Sequence, residues 1–138
     1  MKLIYVVFFA ELFIMSGWSA YTDCLNANGN VESSAILGFP DGGLWAASGL
    51  ALQGTEGAIV AARFASPRSG AKLIIGGVSY MATNCTGDFL TGKSGPTGIC
   101  VAKSGKAVIV CKAGQGMNIG STLNAAMSMA EDLVSKGF

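Results

Sequence analysis

The sequence predicts a single α+β domain in which a central antiparallel β-sheet is flanked by helices. Amphipathic helical patterns lie near both ends of the domain, and short β-branched segments separated by glycine pairs lie between them. A chain of 138 residues with 51% hydrophobic content can bury one core of ordinary size but not two. We therefore expect the N- and C-terminal helices to pack side by side on one face of the sheet.

The first 14 residues form an apolar run that we predict to lie outside the domain, which then spans residues 15–138. Lys2 is followed by twelve residues of which only Glu11 is charged. This pattern partly matches a secretory signal, but Glu11 interrupts it, and the run is shorter than the roughly 20 apolar residues that span a bilayer. The alternative, which we favour, is a functional start at Met15, with residues 1–14 a translated upstream stretch or an added tail.

The N-terminal helix is predicted over residues 16–25. Trp18, Tyr21 and Leu25 recur at helical spacing, and the polar segment "NANGN" at 26–30 ends the helix. A hairpin follows, because the segments "ESSAILGF" and "LWAASG" surround the turn residues "PDGG". Its second strand carries Trp45.

A second helix is predicted over residues 54–66, where Ile59, Ala62 and Phe64 lie near helical spacing and Ser66-Pro67 forms a break. The segments "KLIIGG", "VSYMATNC", "DFLTG" and "GICVAKSGKAVIVCK" are then typical of an antiparallel meander of short strands.

The last predicted helix begins at Ser121 or Thr122 as its N-cap and ends at Lys136-Gly137. Its apolar stripe is predicted to consist of Leu123, Ala126 or Met127, Ala130, Leu133 and Val134.

Charge and residue content narrow the function classes. Nine basic and eight acidic residues give a net charge of +1, so we expect no nucleic-acid partner. Histidine is absent, which excludes Ser-His-Asp and Cys-His catalysis as well as His-ligated metal sites.

The four cysteines, Cys24, Cys85, Cys100 and Cys111, are widely spaced and form no C-x-x-C motif. Three of them lie in apolar alternating stretches, where an unpaired cysteine behaves as a small buried hydrophobe. We predict reduced core thiols in a cytosolic protein. A four-cysteine zinc site is the alternative, but the spacing does not favour it.

Residues 87–94 match the phosphate-loop pattern G-x-x-x-x-G-K-[ST] letter by letter. Such a loop works only where a helix begins at its Lys-Ser and directs backbone amides at the phosphates. Here Lys93-Ser94 is followed by the turn segment "GPTG" and a further strand pattern. We interpret the match as chance in a chain with 20 glycines, and keep a nucleotide-binding enzyme as an alternative.

Aromatic and basic residues suggest binding surfaces. Trp18 and Tyr21 share one side of the first helix, and Trp45 lies on a strand that can face the terminal helices. Exposed aromatic rings of this kind suit a polyproline II segment, which is stiff and apolar, although both tryptophans can equally belong to the core. An acid-free stretch, residues 93–112, forms either one basic patch or scattered solvated lysines; it carries Lys93, Lys103, Lys106 and Lys112.

From Met15 to Phe138 the chain resembles profilins, especially the short amoeboid and protist type. The segment "WSAYTDCL" resembles the N-terminal W-x-x-Y-x-D helix of that family, and "SAILGFPDGGLWAAS" resembles its A-I-x-G-x-D-G-x-x-W-A-x-S hairpin. The segments "LIIGGVSYM", "TGKSGPTGICVAKSGKAVIV" and "AEDLVSKGF" follow in the family's order and spacing. The resemblance implies a cytoplasmic, cytoskeleton-associated protein that is not an enzyme and uses no cofactor or metal.

The resemblance also implies partners and site residues. It implies binding of monomeric actin, control of its polymerisation and nucleotide exchange, and binding of proline-rich proteins and, in many members, of phosphoinositide lipids. By position, the polyproline-binding residues are Trp18, Tyr21, Trp45, Leu133 and Phe138. The actin-binding residues are Lys93, Lys103, Lys106, Lys112, Asn118, Gly120 and Asn124. The alternative is a polyproline- or lipid-binding adaptor of the same fold that does not bind actin.

The chain departs from the family pattern at Asp132, where a histidine or tyrosine is usual. This change removes a ring from the polyproline-binding residues and adds a charge, so we expect weaker proline binding. Ala113, Gly116, Met127 and Ser128 stand where the actin-binding face commonly has charged or aromatic residues.

Overall fold

The computed structural model describes residues 20–27, 29–39, 41–50, 52–64 and 72–138. Within these ranges the helices are α1 (residues 20–27), α2 (Glu56–Arg63) and α3 (Ile119–Ser135). The strands are β1 (Ser33–Gly38), β2 (Leu44–Ser48), β3 (Lys72–Ile75), β4 (Val78–Cys85), β5 (Phe89–Ser94), β6 (Thr97–Lys103) and β7 (Ala107–Ala113). The predicted extension 1–14, the start at Met15 and the Ser66-Pro67 break lie outside the described residues.

The described strands form one antiparallel sheet in the order β2-β1-β7-β6-β5-β4-β3. Strands β3 to β7 follow one another as the predicted meander, and β1 pairs with β7 to join the first hairpin to it. The β3–β4 turn consists of Gly76 and Gly77, whose φ angles of 63° and 79° satisfy the type I′ turn that matches strand twist. The predicted α+β class with a central antiparallel sheet is confirmed.

Helices cover both faces of the sheet. On one face, Val60 of α2 packs in a cluster with Leu37 and Val101. On the other face, Leu25 of α1 and Leu133 of α3 pack in a second cluster with strand residues of β1 and β7. Strand β1 lies between the two covers and is buried along its whole length. The prediction that the terminal helices share one face is therefore confirmed.

Helix α2 is shorter than predicted and packs through a different stripe. Phe64 is buried as expected, but Ile59 is 47% exposed and Ala62 is also exposed. Gly57 and Val60 face the sheet instead, and a Cβ on Gly57 would overlap the backbone of the β1–β2 turn. The helix can lie against the β1–β2 turn because a glycine, rather than a residue with a large side chain, is at the contact.

Helix α3 begins one residue after Asn118, which is the N-cap in place of Ser121 or Thr122. The Asn118 side chain accepts a hydrogen bond from the Ser121 N–H at 3.1 Å. Thr122 is buried, and its hydroxyl lies 2.5 Å from the Asn30 carbonyl oxygen. The apolar stripe is also narrower than predicted, because Val134 is 58% exposed. The buried residues of α3 are Thr122, Ala126, Ala130 and Leu133.

The cysteines differ in their surroundings. Cys100 and Cys111 are buried opposite each other on β6 and β7, unbridged, and burial raises the pKa of each thiol to about 12. Cys24 is exposed on α1, so the prediction of a core thiol is wrong there. The prediction fails because the core covers only one side of a short surface helix, and Cys24 is not on that side.

Residues 89–94 of the phosphate-loop match form strand β5, and a tight turn leads directly into β6. The segment thus lacks the helix start that would direct amides at a phosphate, and the predicted turn and strand after Lys93-Ser94 are confirmed. In the described part of the chain, no helix is both long and apolar enough to cross a membrane.

Candidate functional site

Three of the predicted polyproline-binding rings, Tyr21, Trp45 and Phe138, pack against one core cluster, and their exposed parts are named here the aromatic surface. They come from α1, from β2 and from the segment after α3, and all three are half-buried against the same core cluster. Leu133 belongs to this cluster but is fully buried, so it supports the rings and offers no surface of its own. Trp18 lies outside the described residues.

Phe138 is positioned by the end of α3. Gly137, at φ 92°, donates its N–H to Val134 at 3.1 Å, and Phe138 donates its N–H to Leu133 at 2.8 Å. These two bonds form a Schellman motif, in which a hydrophobic contact between Phe138 and Leu133 is usual. The Phe138 main-chain oxygen also accepts a hydrogen bond from the Ser104 hydroxyl at 2.9 Å. The predicted stop at Lys136-Gly137 is thus confirmed, and it fixes the Phe138 backbone.

The indole of Trp45 lies flat against Gly38 on the neighbouring strand. A Cβ at Gly38 would be 2.9 Å from Nε1 of Trp45 and 3.0 Å from Cε2 and Cζ2. Ordinary van der Waals contacts of a Cβ begin near 3.4 Å. The missing side chain of Gly38 therefore allows the ring to lie where it does.

Tyr21 has a charged pair beside it. Lys136 Nζ lies 5.4 Å from the centroid of the Tyr21 ring and 3.5 Å from its hydroxyl oxygen, and it donates to Asp132 Oδ2 at 2.8 Å. The hydrogen bond to Asp132, followed by that to Tyr21, raises the pKa of Lys136 above its usual range. The charge that Asp132 adds is thus compensated by a cation that covers part of the Tyr21 ring.

The aromatic surface offers apolar area with a fixed shape and no reactive group. Partly exposed rings held by a core cluster suit a stiff, apolar ligand, because neither side loses much conformational freedom on binding. The described residues contain no group of three or more His, Cys, Asp or Glu side chains that is placed to hold a metal ion. The arrangement is that of a binding surface.

The residues predicted to bind actin do not share one surface. Lys112 pairs with Ile99, which belongs to the core cluster on the α2 side of the sheet. Lys112 therefore lies on that side as well, and it forms a 3.8 Å ion pair with Glu32. Lys103 also lies on that side, with its Nζ 4.6 Å from the centroid of the Phe39 ring. Of the two alternatives for the lysines of residues 93–112, the single basic patch is wrong, because strand alternation places Lys103 and Lys112 on the α2 side of the sheet and Lys93 on the α3 side.

Lys93, Asn118 and Gly120 do lie near one another. Lys93 pairs with Gly98 of β6, and a Cβ at Gly98 would overlap Ile119, so this end of β5 and β6 meets the start of α3. Two further predicted residues lie elsewhere. Lys106 is in the β6–β7 turn beside Phe138, and Asn124 lines a furrow of about 480 Å³ between α1 and α3.

A second surface, which sequence reasoning missed, is the open sheet face, formed by Lys72, Ile74, Met81 and Lys93. Register places these side chains on the side that carries α1 and α3, but among the described residues α3 packs mainly against β6 and β7, and only its first turn approaches β5. Ile74 is 44% exposed and Met81 is 63% exposed. Alternation predicts which residues share a side, but not how much of that side a helix covers.

Comparison with known proteins agrees with this architecture. The family model described as Profilin matches residues 16–138. Profilin-1 of Dictyostelium discoideum is 36% identical over 96 residues, which are 67% of this chain and 76% of that protein. Profilin-1A of Acanthamoeba castellanii is 30% identical over 88% of this chain and 98% of that protein. The solved structure of Acanthamoeba castellanii profilin IB superposes with a TM-score of 0.82 at 30% identity, covering 88% of this chain and 99% of that one. The chain belongs to the profilin family.

Proposed function

We propose that this chain is a non-enzymatic, cytoplasmic and cytoskeleton-associated protein that binds actin monomers and proline-rich segments. In this role it regulates actin polymerisation and nucleotide exchange and is recruited by proline-rich assembly factors. The observation that carries the proposal is that Tyr21, Trp45 and Phe138, from three separate elements, all lie partly buried against one core cluster.

The aromatic surface supports the proline-binding part. A polyproline II ligand presents an apolar, preformed helix, and adjacent aromatic rings recognise it in other peptide-binding domains. A structure with the same fold, mouse profilin IIa, was solved in complex with a double repeat from the FH1 domain of mDia1; it superposes with a TM-score of 0.69 at 22% identity. We propose that Trp18, although outside the described residues, belongs to the same surface.

The open sheet face supports the actin-binding part. Ile74 and Met81 expose apolar area between Lys72 and Lys93, and exposed apolar area bordered by charge is typical of a protein-binding surface. LokiProfilin1, which superposes with a TM-score of 0.70 at 16% identity, was solved in complex with rabbit actin. We propose that this face binds actin together with the start of α3, at Asn118 and Gly120.

We propose in addition that phosphoinositides bind to the lysines of one face only, because the lysines are divided between the two faces of the sheet. Lys72 and Lys93 are on the same side of the sheet and supply what basic character the open sheet face has. Sedimentation with phosphoinositide-containing vesicles at low and high salt tests it. Binding that does not weaken as salt rises contradicts an electrostatic contact.

Titration with poly-L-proline, measured by calorimetry, tests the proline-binding part. We expect saturable binding by the full chain and a loss of at least tenfold in Trp45→Ala. Leu44→Ala is the matched control, since Leu44 neighbours Trp45 on β2, is 54% exposed and pairs with Leu37 of the α2-side core. Equal effects of both variants, or no binding by the wild type, contradict the assignment.

Binding to fluorescently labelled actin monomers tests the other part. We expect Met81→Glu to lower the affinity at least tenfold, because a carboxylate between Lys72 and Lys93 would replace exposed apolar area and neutralise the charge of these lysines. Ile59→Glu on α2 is the control, since Ile59 is an exposed apolar residue on the opposite face. Proline binding without any actin binding would favour the alternative, an adaptor of the same fold that does not bind actin.

A further inference from the structure

A polar network joins α1 to the first hairpin, with Asn26 at its centre. Asn26 Nδ2 donates to the Ser48 carbonyl oxygen at 3.2 Å and lies 2.8 Å from the Ser48 hydroxyl. Asn26 Oδ1 lies 2.8 Å from the hydroxyl of Ser34, which is also 3.2 Å from the Thr22 carbonyl oxygen. Both polar atoms of the Asn26 side-chain amide, Oδ1 and Nδ2, are thus used, and they contact both β1 and β2.

The network is placed where it can control the rotation of α1. Thr22 and Asn26 are four residues apart and therefore lie on one stripe of the helix, and the Thr22 backbone carbonyl and the Asn26 side chain both contact the hydroxyl of the fully buried Ser34. Tyr21 and Leu25 form the adjacent stripe, which packs in the core cluster with α3. Fixing the polar stripe on β1 and β2 consequently fixes the direction in which Tyr21 points.

Apolar packing alone would not fix the rotation of α1. Burial of Leu25 holds α1 on the sheet, but the hydrophobic effect has no preferred direction, and a slip of one residue turns a helical side chain by about 100°. Hydrogen bonds depend strongly on distance and angle, so the Asn26 contacts select one rotation. Ser48 is on the same strand as Trp45, three residues away, and this strand is therefore tied directly to the helix that carries Tyr21.

We infer that Asn26 is a positioning residue for the aromatic surface: through Ser34 and Ser48 it sets the placement of Tyr21 relative to Trp45. Asn26 does not need to touch the ligand for this role. The inference rests on the proposed proline binding, but the network itself can be tested without a ligand.

The test compares Asn26→Ala, the isosteric Asn26→Asp and Ser48→Ala with the control Asn84→Ala, an exposed asparagine on β4. Asn26→Asp keeps the size of the side chain but directs a carboxylate oxygen at the Ser48 carbonyl. Three quantities are measured: hydrogen exchange of the α1 amides in the free protein, affinity for a proline peptide, and affinity for actin monomers.

We expect both Asn26 variants to exchange their α1 amides at least tenfold faster and to bind the peptide five- to twentyfold more weakly, with actin affinity within twofold of the wild type. Ser48→Ala should give a smaller loss in the same direction and still reports if the Asn26 variants do not fold. Wild-type exchange in α1, or an equal loss of peptide and actin affinity, overturns the inference. If the wild type binds no peptide, the proposed function fails, and α1 exchange alone decides whether Asn26 fixes this helix.

Discussion

Gly38→Ala tests whether the aromatic surface depends on the fit between the Trp45 ring and its neighbouring strand. The new Cβ would lie 2.9 Å from Nε1 of Trp45, and the nearest ordinary contact is about 3.4 Å, so the ring must retreat by about 0.5 Å. Gly38 lies in β1 and does not have a positive φ, so alanine suits the backbone. The substitution therefore moves the indole while the fold remains.

A displaced aromatic anchor costs about 1–2 kcal/mol of binding free energy, which corresponds to roughly 5- to 30-fold weaker binding. We expect this loss in calorimetric titration of Gly38→Ala with a proline peptide, together with an unfolding midpoint close to that of the wild type. Gly87→Ala is the control, because a Cβ at Gly87 meets nothing within 4 Å. Wild-type affinity in Gly38→Ala would refute the claim that this glycine sets the ring position.

Three further outcomes are expected. Alkylation followed by mass spectrometry should modify Cys24 rapidly but Cys100 and Cys111 only after unfolding. Cys100 and Cys111 are buried and have pKa values of about 12, so fast labelling of either one in the native protein would contradict their burial. Glu56→Ala should lower the free energy of unfolding by about 1–3 kcal/mol in urea titration. The Glu56 carboxylate accepts three backbone N–H bonds at 2.6–3.0 Å, two of them from the β3–β4 turn. An unchanged unfolding midpoint would refute this stabilising role. Asp132→Asn should change proline-peptide affinity by less than about twofold, because exposed ion pairs contribute little, and a larger change would mean that the ligand contacts this carboxylate.

The hairpins between consecutive strands could be predicted because their turns have characteristic residues, whereas the pairing of β1 with β7 was not predicted. The segment "PDGG" and the glycine pair 76–77 supply turn chemistry between β-branched runs, and each hairpin then follows from short-range sequence. The buried side of α2 could not be predicted from the large residues of this helix. Gly57 lies at the contact with the β1–β2 turn, and Ile59, the largest apolar residue of this helix, faces outwards.

The binding surfaces were predictable to different degrees. Rings such as Tyr21 and Trp45 carry a signal of their own, because a large apolar side chain in a short amphipathic element needs a neighbour. A lysine on a strand carries no such signal. Lys93 and Lys112 face opposite sides of the sheet, and only the register with respect to the covering helices decides which side each of them takes. The apolar part of the open sheet face, at Ile74 and Met81, was missed for the same reason.

The two proposed binding surfaces are far enough apart to be occupied together. The aromatic surface includes Trp45 on β2, at one edge of the sheet, whereas Met81 lies on β4, five strand spacings away. At about 4.8 Å for each spacing this is roughly 24 Å, and α3 lies between the two surfaces over β6 and β7. We therefore expect the dissociation constant for a proline peptide, measured by fluorescence anisotropy, to change by less than about twofold when actin saturates the chain. Competition between the two ligands would show that one partner extends across α3, and would assign residues on its exposed side, such as Val134, to that interface.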